Sequence, residues 1–139
     1  MASNILEKQI LEEGFRNAVV KLTGILVTND INEVPAISLA DFQNNEQRQV
    51  LKGFRVDHIT FSLGVQIDVL LEWNSQIPQQ ITPLSRSGKI DVTDDGGFVP
   101  DMTRSGYDGS INLRTSGFPP GGPQQNFTIL LRLIKLYLA

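Results

Sequence analysis

The chain has 139 residues, 19% of them charged, a formal net charge of −3 and no cysteine. That length suits one domain with a core of its own, and the lack of cysteine excludes disulfides and thiolate metal sites. Lysines and arginines are scattered singly on an acidic background, which excludes a basic stripe for nucleic acid, and no apolar run is long enough for a membrane-spanning helix.

Near the start, the apolar pairs Ile5-Leu6 and Ile10-Leu11 lie five positions apart, a spacing that matches neither the helical nor the strand period. Asn4 with Glu7 as a capping box and Gly14 as a stop fit a short helix. The other reading is an extended arm whose apolar pairs need a neighbouring surface. Residues 1–15 are therefore set apart as an N-terminal arm, and 16–139 form the β-sandwich domain. The opening residues lack the basic and apolar regions of a signal peptide, so synthesis in a cytoplasm is expected.

From Arg16 to Thr28 the chain is rich in Val, Leu, Ile and Thr, with Ala18, Val20, Leu22 and Leu26 on one phase, and Asn29-Asp30 ends this strand. Pro35 precedes a short β-like run from Ala36 to Leu39. The polar stretch from Asp41 to Lys52 reads as a loop with at most one helical turn. Between Ile59 and Trp73 every odd position is apolar, which predicts β-structure with one buried face. The run is longer than the usual strand of about 5–6 residues, and Gly64 near its middle predicts a fold-back. Because the apolar phase is kept, Ser62-Leu63-Gly64 is read as a three-residue hairpin turn with Gly64 left-handed. One long strand bent at the glycine is the alternative.

Pro78 and Pro83 confine Gln79–Thr82 to an edge strand or an extended loop, since proline cannot donate to a ladder. Lys89–Thr93 is a short strand, Asp94-Asp95-Gly96-Gly97 a turn, and Met102–Gly109 a loop. Ser110–Thr115 alternates with Ile111 and Leu113 inward, and Pro119–Pro123 breaks the chain before a last strand from Asn126 to Leu138. That strand is apolar on both faces, so it must be covered on both, by the arm, a loop or another subunit. Seven or eight turn-punctuated strands with almost no amphipathic helix define an all-β fold. The predicted form is an antiparallel, jelly-roll-like β-sandwich with a short N-terminal arm or helix.

His58 is the single histidine and has no nucleophile elbow to serve, so it is read as a hydrogen-bonded structural side chain. Asp91, Thr93, Asp95 and Gly96 match the first half of a calcium loop. Its twelfth position is Met102 rather than glutamate, and although Asp94, Asp101 and Asp108 lie near, Asp-Asp-Gly-Gly is read as turn chemistry. Gly88-Lys89 lacks the first glycine and the hydroxyl of a phosphate loop. Trp73 continues the apolar phase of its strand and is read as core, not as a sugar platform shared with Phe98, Tyr107 and Phe118. No catalytic, cofactor-binding or metal residue is assigned, and no enzymatic activity is expected.

The succession "RNAVVKLTGIL", "RVDHITFSLGVQIDVLLEW", "GKIDVTDDGG", "GYDGSINLRTSGF" and "NFTILLRLIKL" resembles small β-sandwich virion proteins of tailed bacteriophages, of the capsid decoration or cement type. The likeness covers about residues 14–136 and consists of strand and turn patterns. It implies a structural virion protein, made in the host cytoplasm, that binds the major capsid protein or other virion proteins. It also implies a homo-oligomer, a trimer being favoured, with neither nucleic acid nor membrane as partner. The alternative is a neck or tail component, or a lectin-like module with the loops around Gly96, Gly106 and Gly121 as its contact surface. Leu63-Gly64 departs from the Asp-Gly turn of such proteins, and Leu136-Tyr137-Leu138-Ala139 extends beyond their usual end. The expected inter-subunit contacts are Ile5, Leu6, Ile10, Leu11, Tyr137 and Leu138.

Overall fold

The computed structural model describes residues 4–42, 50–119 and 121–138. Nine strands account for most of them: β1 (Ile5–Glu13), β2 (Asn17–Leu26), β3 (Val34–Ile37), β4 (Val50–Leu63), β5 (Asp68–Trp73), β6 (Gln79–Ser85), β7 (Ser87–Asp91), β8 (Ile111–Ser116) and β9 (Gln125–Leu138). Two short 3₁₀ turns, Leu39–Asp41 and Thr93–Asp95, are the only helical residues described. One sheet has the order β1-β2-β9-β4-β7 and the other β3-β8-β5-β6. The antiparallel pairs β2 with β9, β3 with β8, β4 with β7 and β5 with β6 trace one long hairpin rolled into two layers. That is the jelly-roll arrangement, with β1 added outside β2.

Alternation builds the core directly. Ala18, Val20, Leu22 and Leu26 of β2 face Ile111 and Leu113 of the other sheet's β8 in one buried cluster, joined by Phe127, Ile129, Leu131 and Leu133 of β9. Each fully buried aliphatic or aromatic side chain there contributes about 1.5–3 kcal/mol of transfer free energy. Gly24 shares the inner phase of β2, and its missing side chain makes room for the Phe127 ring, which would lie 2.1 Å from a Cβ at that position. Both edges of the smaller sheet carry a proline, Pro35 in β3 and Pro83 in β6, where no ladder donor is needed.

Three expectations are corrected. The stretch from Ile59 to Trp73 is not a hairpin: β4 and β5 lie in different sheets, and β5 turns back on β6 instead. The apolar phase is kept because both strands face the same core from opposite sides, while Val65 at the crossing swings out to 89% exposure. Gly64 is not left-handed; what favours glycine is Gln125, whose Oε1 would lie 2.2 Å from a Cβ.

The N-terminal segment is neither a helix nor a separate arm but the strand β1. Its five-residue spacing conceals a period of two interrupted by a bulge at Leu11, where the register with β2 skips between Ile10 and Glu12. Leu6 and Ile10 point inward and pack on the core, whereas Ile5 and Leu11 point out. Asn4 caps no helix. Its side chain accepts the Val27 and Thr28 backbone N–H groups at 2.8 and 3.1 Å. Gly14 turns the chain from β1 into β2, donating its N–H to the Asn17 carbonyl at 2.8 Å. Most of the predicted polar loop between Asp41 and Lys52 lies outside the described residues.

Candidate functional site

The jelly roll gathers its connections at two ends. One end holds the turns from β2 to β3, β4 to β5, β6 to β7 and β8 to β9. The other holds the β1–β2 turn, residues 38–42 after β3, the β5–β6 connection, the long segment 92–110 between β7 and β8, and the last residues of β9. Exposed large apolar side chains concentrate at the second end: Phe15, Val50, Ile77, Val99 and Met102. Several of them are tied to neighbouring elements. Tyr137 donates its hydroxyl hydrogen to the Phe15 carbonyl at 2.7 Å, and Ile77 lines a shallow hollow with Arg104 and Ser105. Met102 and the Tyr107 hydroxyl both lie over Gly53 of β4.

Segment 92–110 is tied by hydrogen bonds to β6 and β4. Gln79 donates to the Asp101 carbonyl at 3.0 Å and accepts the Asp101 N–H at 2.8 Å. The Tyr107 hydroxyl donates to the Lys52 carbonyl at 2.9 Å; burial, aided by the Asp108 charge, pushes its pKa up to about 12. Hydrogen bonds from the Thr103 hydroxyl and backbone N–H hold the Asp101 carboxyl below the usual carboxylate range. Thr93 does the same for Asp91.

Beside this end, the outer face of the larger sheet carries a hollow of about 430 Å³ in which Glu12, Asn17, Arg55, Asp57, Thr93 and Arg132 alternate with apolar groups such as Val19 and Ile134. A bulge in β4 borders it, where the register with β9 skips between Val56 and His58 and leaves Asp57 as the extra residue. Asp57 is nearly buried and takes a bidentate grip on Arg55, Nε to Oδ1 at 2.6 Å and Nη2 to Oδ2 at 3.0 Å. Arg132 is exposed and has no ion-pair partner among the described residues. A guanidinium beside an apolar rim is suited to receive a carboxylate or carbonyl of a docking protein.

The residues singled out from the sequence fall in separate places. Ile5 and Leu11 are exposed on β1, Leu6 and Ile10 are half-buried against the chain's own core, and Tyr137 is half-buried near Phe15. Leu138 ends β9, and its side chain lies outside the described residues. His58 sits on the outer face of β4 in register with Asp91, 3.4 Å from the Thr60 hydroxyl. Among the described residues, no three His, Asp or Glu side chains converge as metal ligands. Trp73 and Phe118 are buried, and Phe118 follows β8 at the opposite end from Phe98 and Tyr107, so the aromatics form no shared platform. The loops at Gly96 and Gly106 share the apolar end, whereas Gly121 lies at the other. Sequence reading missed Ile77, Val99 and the Asp57 bulge. Only a β-phase break at Asp57-His58, with a polar residue at an apolar position, could have signalled the last.

No family model matches the chain, and no curated protein matches it. Among solved structures it is similar to one described as "Crystal Structure of CoII HppE in Complex with Substrate", with 7% identity and a TM-score of 0.30. The match covers 93% of this chain and 52% of that one, so the chain spans about half its length. At that degree of overlap the likeness carries no argument.

Proposed function

We propose that this chain is a structural, non-enzymatic virion protein of a tailed phage that decorates or cements the capsid by docking on the major capsid protein or another virion protein. The observation that carries the docking reading is the gathering of Phe15, Val50, Ile77, Val99 and Met102 on one end of the sandwich, beside the hollow holding Arg55 and Arg132. Exposed apolar groups rimmed by polar ones are what an interface core requires, and arginine is favoured there. The virion setting rests on the resemblance of the strand and turn pattern, and the jelly-roll topology agrees with it because viral shell proteins are among the users of that fold.

The test is co-sedimentation of the purified chain with phage heads that lack it, compared with an Ile77→Asp, Val99→Asp double variant. The chain is expected to saturate the heads at many copies per shell, with the variant folded but unbound. Saturation at a single small ring of copies would move it to the neck or tail. Failure of both proteins to bind heads would refute the reading.

A further inference from the structure

We infer that β1 is a self-pairing edge: two copies of the chain join through antiparallel β1–β1 contact about a two-fold axis at Lys8, fusing their larger sheets into one. Four strands form the edges of the two sheets: β1, β7, β3 and β6. Three are guarded against pairing. β3 is four residues long and contains Pro35, β6 contains Pro83, and β7 is five residues long and contains Gly88. By contrast, β1 has nine residues with neither proline nor glycine, and among the described residues no strand pairs with its outer side.

The sequence of β1 is close to a palindrome in polarity. Placing Lys8 opposite Lys8 of a second copy sets Ile5 opposite Leu11, Leu6 opposite Ile10 and Glu7 opposite Gln9, twice over by symmetry. Ile5 and Leu11 share the outer face and are 45% and 47% exposed, so each meets an apolar partner where it now meets water. Leu6 and Ile10, half-buried at the sheet margin, become covered on the inner face. The opposed lysines do not repel strongly, because each is already ion-paired to Asp41 of its own subunit. The bulge at Leu11 lies at the end of this register, beyond its centre. Such an isologous contact closes at two copies, unlike the three-fold assembly the resemblance implies.

The geometry also has a consequence that rests on the docking reading. A two-fold axis normal to the sheet reverses the strand direction, so the apolar ends of the pair point broadly opposite ways. A dimer with a docking surface at each pole bridges two neighbours, as cementing requires.

The native chain has no cysteine, so Glu7→Cys and Gln9→Cys report the register cleanly. Opposed residues lie about 4.5–5.5 Å apart at Cα, within disulfide reach, whereas each cysteine and its own copy are diagonal neighbours at about 7–8 Å. Under mild oxidation the mixed variants are expected to cross-link much faster than either alone. Light scattering on the unmodified chain should give twice the 15.4 kDa chain mass, and Ile5→Lys with Leu11→Lys should give a monomer that keeps the native circular dichroism spectrum and loses the concentration dependence of its melting. A monomeric wild type, a trimer, or a dimer that survives the lysine variant without mixed cross-linking would each overturn the pairing. A chain that dimerises through β1 but ignores phage heads would uphold the pairing and refute the docking reading.

Discussion

Where β2 runs into β3 and β8 into β9, the loops are fastened by buried or half-buried side chains. At the opposite end, the loops display apolar groups to water. At the fastened end Asp30 accepts from the Thr115 hydroxyl at 3.0 Å and from the Phe118 N–H at 3.1 Å, and Asn4 serves the backbone of residues 27 and 28. Gln125 reaches across to accept the Gln66 N–H at 3.3 Å. Polar groups there are spent inside the molecule, and little beyond Val65 and Ile5 is left apolar and exposed. The apolar end has similar internal bonds but leaves Ile77 at 72% exposure and Phe15 at 60%. On the docking reading proposed above, the exposed apolar side chains of one end face a partner, whereas the bonded groups of the other hold the fold.

The strongest way to break this contrast is Asp30→Ala. It strands the Thr115 hydroxyl and the Phe118 N–H, and the loss of hydrogen bonds to a charged acceptor should cost about 3 kcal/mol. Melting followed by circular dichroism should fall clearly, while the folded fraction keeps its affinity for partners. A wild-type melting curve would mean that the fastened end is not where stability resides.

A pair of glycines at the same end sharpens the point. Gly117 has φ +90° and a Cβ there would lie 2.7 Å from the Gln66 carbonyl oxygen, so Gly117→Ala meets both backbone strain and a rigid neighbour. A loss of about 1–3 kcal/mol is expected. Gly64 has no such φ, and its added Cβ would meet the Gln125 side chain rather than backbone, so Gly64→Ala avoids the backbone strain and should cost less. Equal losses in paired denaturant titrations would show that the crossing from β4 to β5 is more rigid than its neighbours indicate.

At the apolar end the expectation reverses. Ile77→Ser with Val99→Ser removes groups that are mostly exposed, so stability should stay within about 0.5 kcal/mol. Binding to heads should weaken by about tenfold or more, each tenfold being about 1.4 kcal/mol. If stability drops instead and binding holds, these side chains belong to the fold and not to a contact.

How much of this was legible in the sequence depends on whether a residue's phase was set within one strand or between two. Ala18, Val20, Leu22 and Leu26 and the inward pair Ile111 and Leu113 followed from alternation alone, because a sheet face is a local property, whereas β9, apolar on both phases, did not reveal which of its faces turns inward. Pro78 and Pro83 limited residues 79–82 to an edge strand or an extended loop, because proline has no ladder donor, and β6 is the edge strand. The β4–β5 crossing was misread because a hairpin with a three-residue loop and a passage between facing sheets preserve the same phase. β1 was obscured by one bulged residue, Leu11, which shifts the pattern without changing the composition. The apolar end was invisible, since Phe15, Ile77 and Val99 are far apart in sequence and only the rolled topology brings them to one side.

The smallest effect concerns the link between the apolar end and β1. Lys8 of β1 and Asp41, which follows β3 at that end, form an ion pair, and Asp41 also accepts the Ser38 N–H at 2.9 Å. Partial burial raises the Asp41 pKa, but the hydrogen bonds from Lys8 and Ser38 and the Lys8 charge outweigh it, leaving the carboxyl below its ordinary 3.8. A depressed folded-state value stabilises the fold above the unfolded-state pKa, and that contribution disappears as pH falls through the folded value. The pair should therefore act fully at neutral pH and fade below about pH 4. Both side chains keep access to water, at 31% and 21% exposure, so screening limits the contribution to about 0.5 kcal/mol. Asp41→Asn should melt slightly below the native chain at neutral pH, by a margin that shrinks in high salt and vanishes in strong acid. A margin that persists in strong acid would assign the effect to the Ser38 turn, and no margin at all would remove the pair as a tether of the edge strand.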